Sequence, residues 1–298
     1  MSNREAMLMT VLTRNASAHL VYLTHEVDGP TLHVHTQHAI SATSLIIPLG
    51  LEHCRQVMHV TEQPSILRCR PNHFAVQNAH QQCQNEPIQL GTQIQPQGKD
   101  WVGTAGAPVH WLDGSQHDQY GVLSNWHVMA DGSNGIGHTQ HQPYDNHPAM
   151  AKLTNWSEVK CCATMYVDAA IADAKIDGYH TMARSILEIG QLNPTPLDAS
   201  AGLLVMKSGR TTALTYGQVS ATGAAVKVSY GDFTATFADQ IVIDGGAEEF
   251  SAGGDSGSLV VGRDSKSPVG LLFAGGGGTT IANPIKRIMD MWGMDFAV

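Results

Sequence analysis

Apolar and polar positions alternate along residues 20–24 and again along 31–36, with Asp28, Gly29 and Pro30 between them. That pattern predicts a β-hairpin. Residues 44–51 read as a further strand, although Pro48 interrupts the apolar run. Residues 68–86 are polar, rich in Gln, Asn and His, and read as a connector. From Ile88 onward the texture changes to short apolar runs separated by glycine-containing turns. Strands are predicted over 121–128, 167–173, 202–207, 217–222, 225–230, 240–244, 258–261 and 269–274. A helix is predicted at the end of the chain. Asn283 suits its N-cap, Pro284 its first turn, and Ile285, Ile288, Met289 and Trp292 recur at helical spacing. Many short strands with one predicted helix place the chain in the all-β class.

Composition narrows the partners more than the fold. The chain has 298 residues, 42 % of them hydrophobic, enough for one large or two small domains. Its net charge of −9 argues against a general nucleic-acid binder, which carries a basic stripe. The five cysteines, at 54, 69, 83, 161 and 162, are odd in number and include an adjacent pair, unlike a disulfide framework. Neither a secretory signal nor a transmembrane run is recognised, so a cytoplasmic setting with no membrane partner is expected.

The chemistry concentrates in Gly253-Gly254-Asp255-Ser256-Gly257-Ser258. A serine between glycines on a tight loop can approach a substrate closely, and successive N–H groups can converge on an oxyanion. Upstream, Leu123-Ser124-Asn125-Trp126-His127-Val128 ends an apolar run on a histidine. Val167-Asp168-Ala169-Ala170-Ile171-Ala172 sets an aspartate at the head of another. Histidine, aspartate, serine is the order of the chymotrypsin-type triad, not that of subtilisins or α/β-hydrolases.

These motifs resemble those of the trypsin-like (chymotrypsin-fold) serine peptidases, in the bacterial branch with SNxHV, VDAAIA and GDSGS signatures. Residues 104–109, 142–145, 207–212 and 280–285 add further matches, and the resemblance covers roughly residues 88–298. It implies two antiparallel six-stranded β-barrels with a C-terminal helix, divided near residues 180–200, and the site in the cleft between them. Residues 1–87 would be a β-containing N-terminal extension of open role: an independent domain, a pro-segment or an extension of the barrel. The implied roles are nucleophile for Ser256, general base for His127 and orienting carboxylate for Asp168. Gly254 and Ser256 would supply the oxyanion N–H groups. Phe250 would stand at the base of the primary specificity pocket, where the absence of an acid gives no support for a Lys or Arg preference. Phe273, Ala274, Gly275 and Gly276 would pair with the substrate backbone, and the open glycine wall fits a medium or large apolar residue. Asp255 is expected to have an internal partner.

The expected partner is a protein or peptide substrate, with a regulatory partner or larger assembly reached through residues 1–87. No cofactor or metal is called for. Cys69, His73, His80 and Cys83 lack the spacing of a zinc finger, and His33, His35 and His38 read as a solvated strand face. Two rivals stand beside the endopeptidase reading: a catalytically silent protease-like module, and a protease limited to cutting itself near the connector.

Overall fold

Glycine and β-branched residues shape two closed sheets. The computed structural model describes all residues except 1, 27–28, 41–43, 49, 52, 68, 70–77, 113–117, 132–134, 177–178, 181 and 298. In the second half of the chain, strands Leu204–Gly209, Ala213–Ser229, Thr234–Asp244, Thr279–Pro284, Pro268–Gly276 and Leu259–Gly262 pair in that order. The last returns to the first, and every pairing is antiparallel. Val205, Val219, Ile241, Ile243, Val260 and Leu272 form one buried cluster within it. In the first half the circuit runs Thr92–Pro96, a bent strand, Asp118–Ser124, Ala170–Asp173, Ala149–Trp156 and Thr139–His141, and closes on Thr92–Pro96. The bent strand comprises Gly103–Ala105 and Ala107–Leu112. Gly106 sits at the bend, where any side chain would meet the Gly257 carbonyl. The fold is therefore the two six-stranded barrels expected, with a C-terminal helix at Ile285–Trp292. A last strand, Met294–Phe296, pairs with Ala107–Leu112 and ties the chain's end to the first barrel.

Three local expectations are corrected. The strands expected at 217–222 and 225–230 are one strand, because register shifts around Gly223 bulge the ladder without breaking it. The strand expected over 44–51 is absent at its described residues. Pro48 has no N–H for a ladder, and its carbonyl instead accepts the Leu51 N–H at 3.2 Å, closing a turn. Asn283 is not the N-cap of the last helix; Pro284 holds that position and no side chain caps it.

The expected hairpin is present as β1 (Ala18–Glu26) and β2 (Gly29–Thr36), paired antiparallel. It is preceded by a helix absent from the sequence reading, α1 (Asn3–Arg14), whose start is held by a reciprocal Ser2–Glu5 capping box. Leu8, Val11 and Leu12 of α1 are wholly buried in a cluster with Val21, Val34, Ala225 and Ala238. Each such side chain contributes ~1.5–3 kcal/mol on burial. β1 also pairs with the long strand Ala213–Ser229, and β3 (Arg55–Val60) lies parallel to β2. The N-terminal region thus continues the sheet of the second barrel. A short strand, β4 (Ser65–Ile66), pairs with two strands of that sheet, Pro268–Gly276 and the end of Ala213–Ser229.

Candidate active site

His127 lies on a one-turn helix, Trp126–Met129, just past the strand Asp118–Ser124, rather than on the strand end expected. The Asn125 carbonyl starts this turn by accepting the Met129 N–H at 3.1 Å. Asp168 precedes the strand Ala170–Asp173. The two side chains meet: His127 Nδ1 stands 2.6 Å from Asp168 Oδ2, with both residues fully buried. A carboxylate accepts only, so Nδ1 carries the hydrogen and Nε2 is left as the basic nitrogen.

Four further groups hold Asp168. Its Oδ1 accepts the His127 backbone N–H at 3.2 Å, and its Oδ2 accepts the Tyr230 hydroxyl at 2.6 Å. Asn125 Nδ2 donates to its carbonyl at 2.8 Å. Its N–H donates to Asn283 Oδ1 at 3.0 Å, and Asn283 in turn donates to Gln240 Oε1 at 2.7 Å. Sequence reasoning missed Tyr230, Asn125 and Gln240 and gave Asn283 another task. Only Asn125, two residues from His127, carried a local signal.

Ser256 sits on the loop predicted for it. Gly254 (φ +101°) and Gly257 (φ +96°) take left-handed conformations that side chains resist. Thr104 spans the loop: its N–H donates to Ser256 O at 2.8 Å and its hydroxyl to Gly254 O at 2.9 Å. The Asp255 carboxylate is buried and has internal partners. It accepts N–H groups from Thr211 at 2.8 Å, Ala252 at 3.0 Å and Thr212 at 3.3 Å, and the Thr212 hydroxyl at 2.7 Å. Lys207 Nζ stands 3.7 Å away. Burial pulls the Lys207 pKa below the usual lysine range, and the Asp255 carboxylate opposes that pull. The Ser256 hydroxyl donates to the Phe273 carbonyl at 3.1 Å and is fully buried.

Phe250 is buried among the second barrel's apolar residues, with Lys207 Nζ 5.9 Å from its ring centroid. Phe273, Ala274, Gly275 and Gly276 lie on the strand Pro268–Gly276. The edge these residues would offer a substrate is already paired, Ala274 with Ile66 and Gly275 with Ser65.

The remaining candidates are spent elsewhere. Buried His80 contacts the Gly91 carbonyl and the Glu188 carboxylate, both at 2.8 Å, while His73 lies outside the described residues. The face expected to be solvated is in part covered. His35 is buried and stacks 4.3 Å from His59, because β3 lies alongside. Among the described residues no helix is long and apolar enough to cross a membrane, and the five cysteines are free thiols.

Comparison with known proteins agrees with the architecture. The family model of the Nal1 C-terminal domain matches residues 166–288, a stretch that holds Asp168 and Ser256 but not His127. No curated protein matches the chain. Among solved structures, Thermobifida fusca Protease A is similar with a TM-score of 0.50 and 20 % identity, over 71 % of this chain and 98 % of that one. A glutamic-acid-specific serine protease, described as using a histidine triad in substrate binding, has a TM-score of 0.50 and 21 % identity. It covers 70 % of this chain and 100 % of its own. At such identities the likeness establishes a chymotrypsin-like fold.

Proposed function

We propose that the protein is a serine endopeptidase that hydrolyses peptide bonds through an acyl-enzyme, with Ser256 as nucleophile, His127 as base and Asp168 as orienter. The observation that carries this reading is the 2.6 Å bond from His127 Nδ1 to a buried carboxylate, which leaves Nε2 as a base. The Ser256 hydroxyl turns from the Phe273 carbonyl to the imidazole, loses its proton to Nε2 and attacks the substrate carbonyl. Asp168 stabilises the imidazolium that forms. Gly254 N–H and Ser256 N–H take the developing oxyanion, and one such donor is worth ~10²–10³ in rate. His127 then protonates the leaving amine, and water repeats the sequence to free the acid. Phe250 and the glycine-lined strand favour an apolar residue on the acyl side.

The test is labelling of the purified full-length protein by a fluorophosphonate, beside Ser256→Ala and His127→Ala. Label confined to Ser256, lost in Ser256→Ala and slowed by at least ~10³-fold in His127→Ala, is expected. Equal labelling of wild type and His127→Ala would sink the mechanism.

A further inference from the structure

The cleft is occupied by the chain itself. β4 lies antiparallel to the strand Pro268–Gly276, with Ser65 opposite Gly275 and Ile66 opposite Ala274. The Leu67 N–H donates to the Phe273 carbonyl at 3.4 Å, and the Leu67 carbonyl accepts the Gly254 N–H. That N–H is the one assigned above to the oxyanion. Cys69 is held as well: the Val102 N–H donates to its carbonyl at 2.8 Å. Val102 is two residues before Thr104, the residue bonded to Ser256 O. Leu67 is 9 % exposed and belongs to the cluster of Phe250, Val205, Val260 and Leu272. A Cβ at Gly275 would stand only 3.3 Å from Leu67 Cδ1, so the absence of a side chain there makes room for the leucine.

A protease that binds its substrate by strand addition needs this set of contacts: an antiparallel edge, an apolar side chain in the primary pocket and a carbonyl at the oxyanion donors. We propose that Ser65–Leu67 is the protein's own first substrate segment and that Ser256 cuts the bond following Leu67 in cis. This proposal rests on the Ser256 mechanism given above. Ser256 Oγ adds to the Leu67 carbonyl carbon while His127 Nε2 takes the hydroxyl proton. The C–N bond then breaks, and His127 passes that proton to the amine of residue 68. Water adds to the Leu67–Ser256 ester, its proton going to His127 and on to the released serine. One water is consumed, and the products are a Leu67 carboxylate and a new α-amine. Tethering makes the strand a substrate at high effective concentration.

Cleavage would not release the N-terminal region. α1, β1 and β2 are built into the sheet and core of the second barrel. The Leu67 carboxylate then stays at the Gly254 N–H as a bound product and restrains the enzyme. Substrates acting in trans must displace it, and they are expected to carry leucine or a similar apolar residue before the cut bond.

The test follows full-length wild type, Ser256→Ala, Leu67→Met and Leu67→Asp by intact mass under denaturing conditions and by native size exclusion. Wild type and Leu67→Met are expected to yield residues 1–67 and 68–298, together one water heavier than the chain, eluting as one native particle. Ser256→Ala stays whole. Leu67→Asp, which sets a charge in an apolar pocket, is cut on the order of 10²-fold more slowly or not at all. It also takes up fluorophosphonate faster than wild type, because its cleft is emptied. Wild type labelled at Ser256 but uncut, or cut elsewhere, would overturn the proposal and leave the protease reading standing. Neither label nor cleavage in folded wild type and Leu67→Asp would overturn both.

Discussion

Tyr230 offers the sharpest test of how Asp168 is held. Its hydroxyl donates to Asp168 Oδ2 at 2.6 Å, the same oxygen that lies 2.6 Å from His127 Nδ1. Tyr230→Phe removes that donor and keeps the ring, which stacks at 5.1 Å on Phe233 and 6.3 Å on Phe237. A buried hydrogen bond to a charged group is worth ~1.5–3 kcal/mol. Asp168 keeps both bonds from His127, so the loss should fall at the lower end, ~1.5–2 kcal/mol. In stability this is a fall in Tm of about 2–3 °C for a chain of this size. If all of it were expressed in the transition state, labelling of Ser256 would slow by ~10–30-fold, since ~1.4 kcal/mol is a factor of ten. Asp168→Asn, which removes the acceptor that fixes the imidazole tautomer, should cost on the order of 10⁴. The assay is fluorophosphonate labelling of both variants in the Leu67→Asp background, beside thermal melts. A Tyr230→Phe rate and Tm both equal to wild type would refute the assigned role. So would a rate loss as large as that of Asp168→Asn.

Two more predictions address the support of the site and of the cleft strand. Asn283→Ala leaves the buried Asp168 N–H and Gln240 Oε1 without their partner, so a loss of ~2–5 kcal/mol in denaturant unfolding and much slower labelling are expected. The helical circular dichroism should be unchanged, because Asn283 caps no helix; loss of helix with normal labelling would contradict this. Acidification should loosen the N-terminal sheet. Burial lowers the His19 pKa to about 4, helped by Lys227, and burial lowers that of His35 to about 3, helped by His59, His19 and His33. The unfolded chain takes up these protons near the ordinary value of 6.5, before the folded chain does. Stability is therefore complete above pH ~6.5 and drains away as pH falls towards the folded values. Tm measured from pH 7.5 to 5 should fall, and fall less in His35→Gln; a flat profile in wild type would count against it. Both histidines contact the Thr61 hydroxyl, at 3.0 Å and 3.2 Å, so the same treatment should also speed backbone amide exchange in β4.

How far the molecule was legible from its residues depended on the range of the forces involved. Alternating apolar positions and glycine turns are local, and they outlined most strands of the second barrel but only Asp118–Ser124 and Ala170–Asp173 of the first. The histidine, aspartate and serine motifs are local too, and each stands near the place its context implied. His127 moved from a strand end to a helical turn because Asn125 accepts helical hydrogen bonds that periodicity does not report. Asn283 was misassigned for a different reason. An asparagine before a proline is a good cap on local grounds, but a buried Asp168 N–H and Gln240 competed for the same side chain and won. Tyr230 had no signal at all, since its value lies in where its hydroxyl ends after the second barrel closes.

Leu67 marks the same boundary more strongly. Gly275 to Gly278 suggested a wall open to an apolar residue, and the second barrel does leave that space. What fills it in this structure is a leucine from a stretch of sequence that resembles nothing in the serine-peptidase motifs. Its neighbours Ser65 and Ile66 are an unremarkable pair, too short for any periodicity. They become a strand because the strand Pro268–Gly276 pairs with both of them and Ser229, at the end of Ala213–Ser229, pairs with Ser65. The same residues restrain Ser256 by covering it and would be its first target, so the restraint and the target share one set of hydrogen bonds. Weakening Leu67 in its pocket should therefore raise access to Ser256 while lowering self-cleavage. A cover with no part in the chemistry would raise access alone.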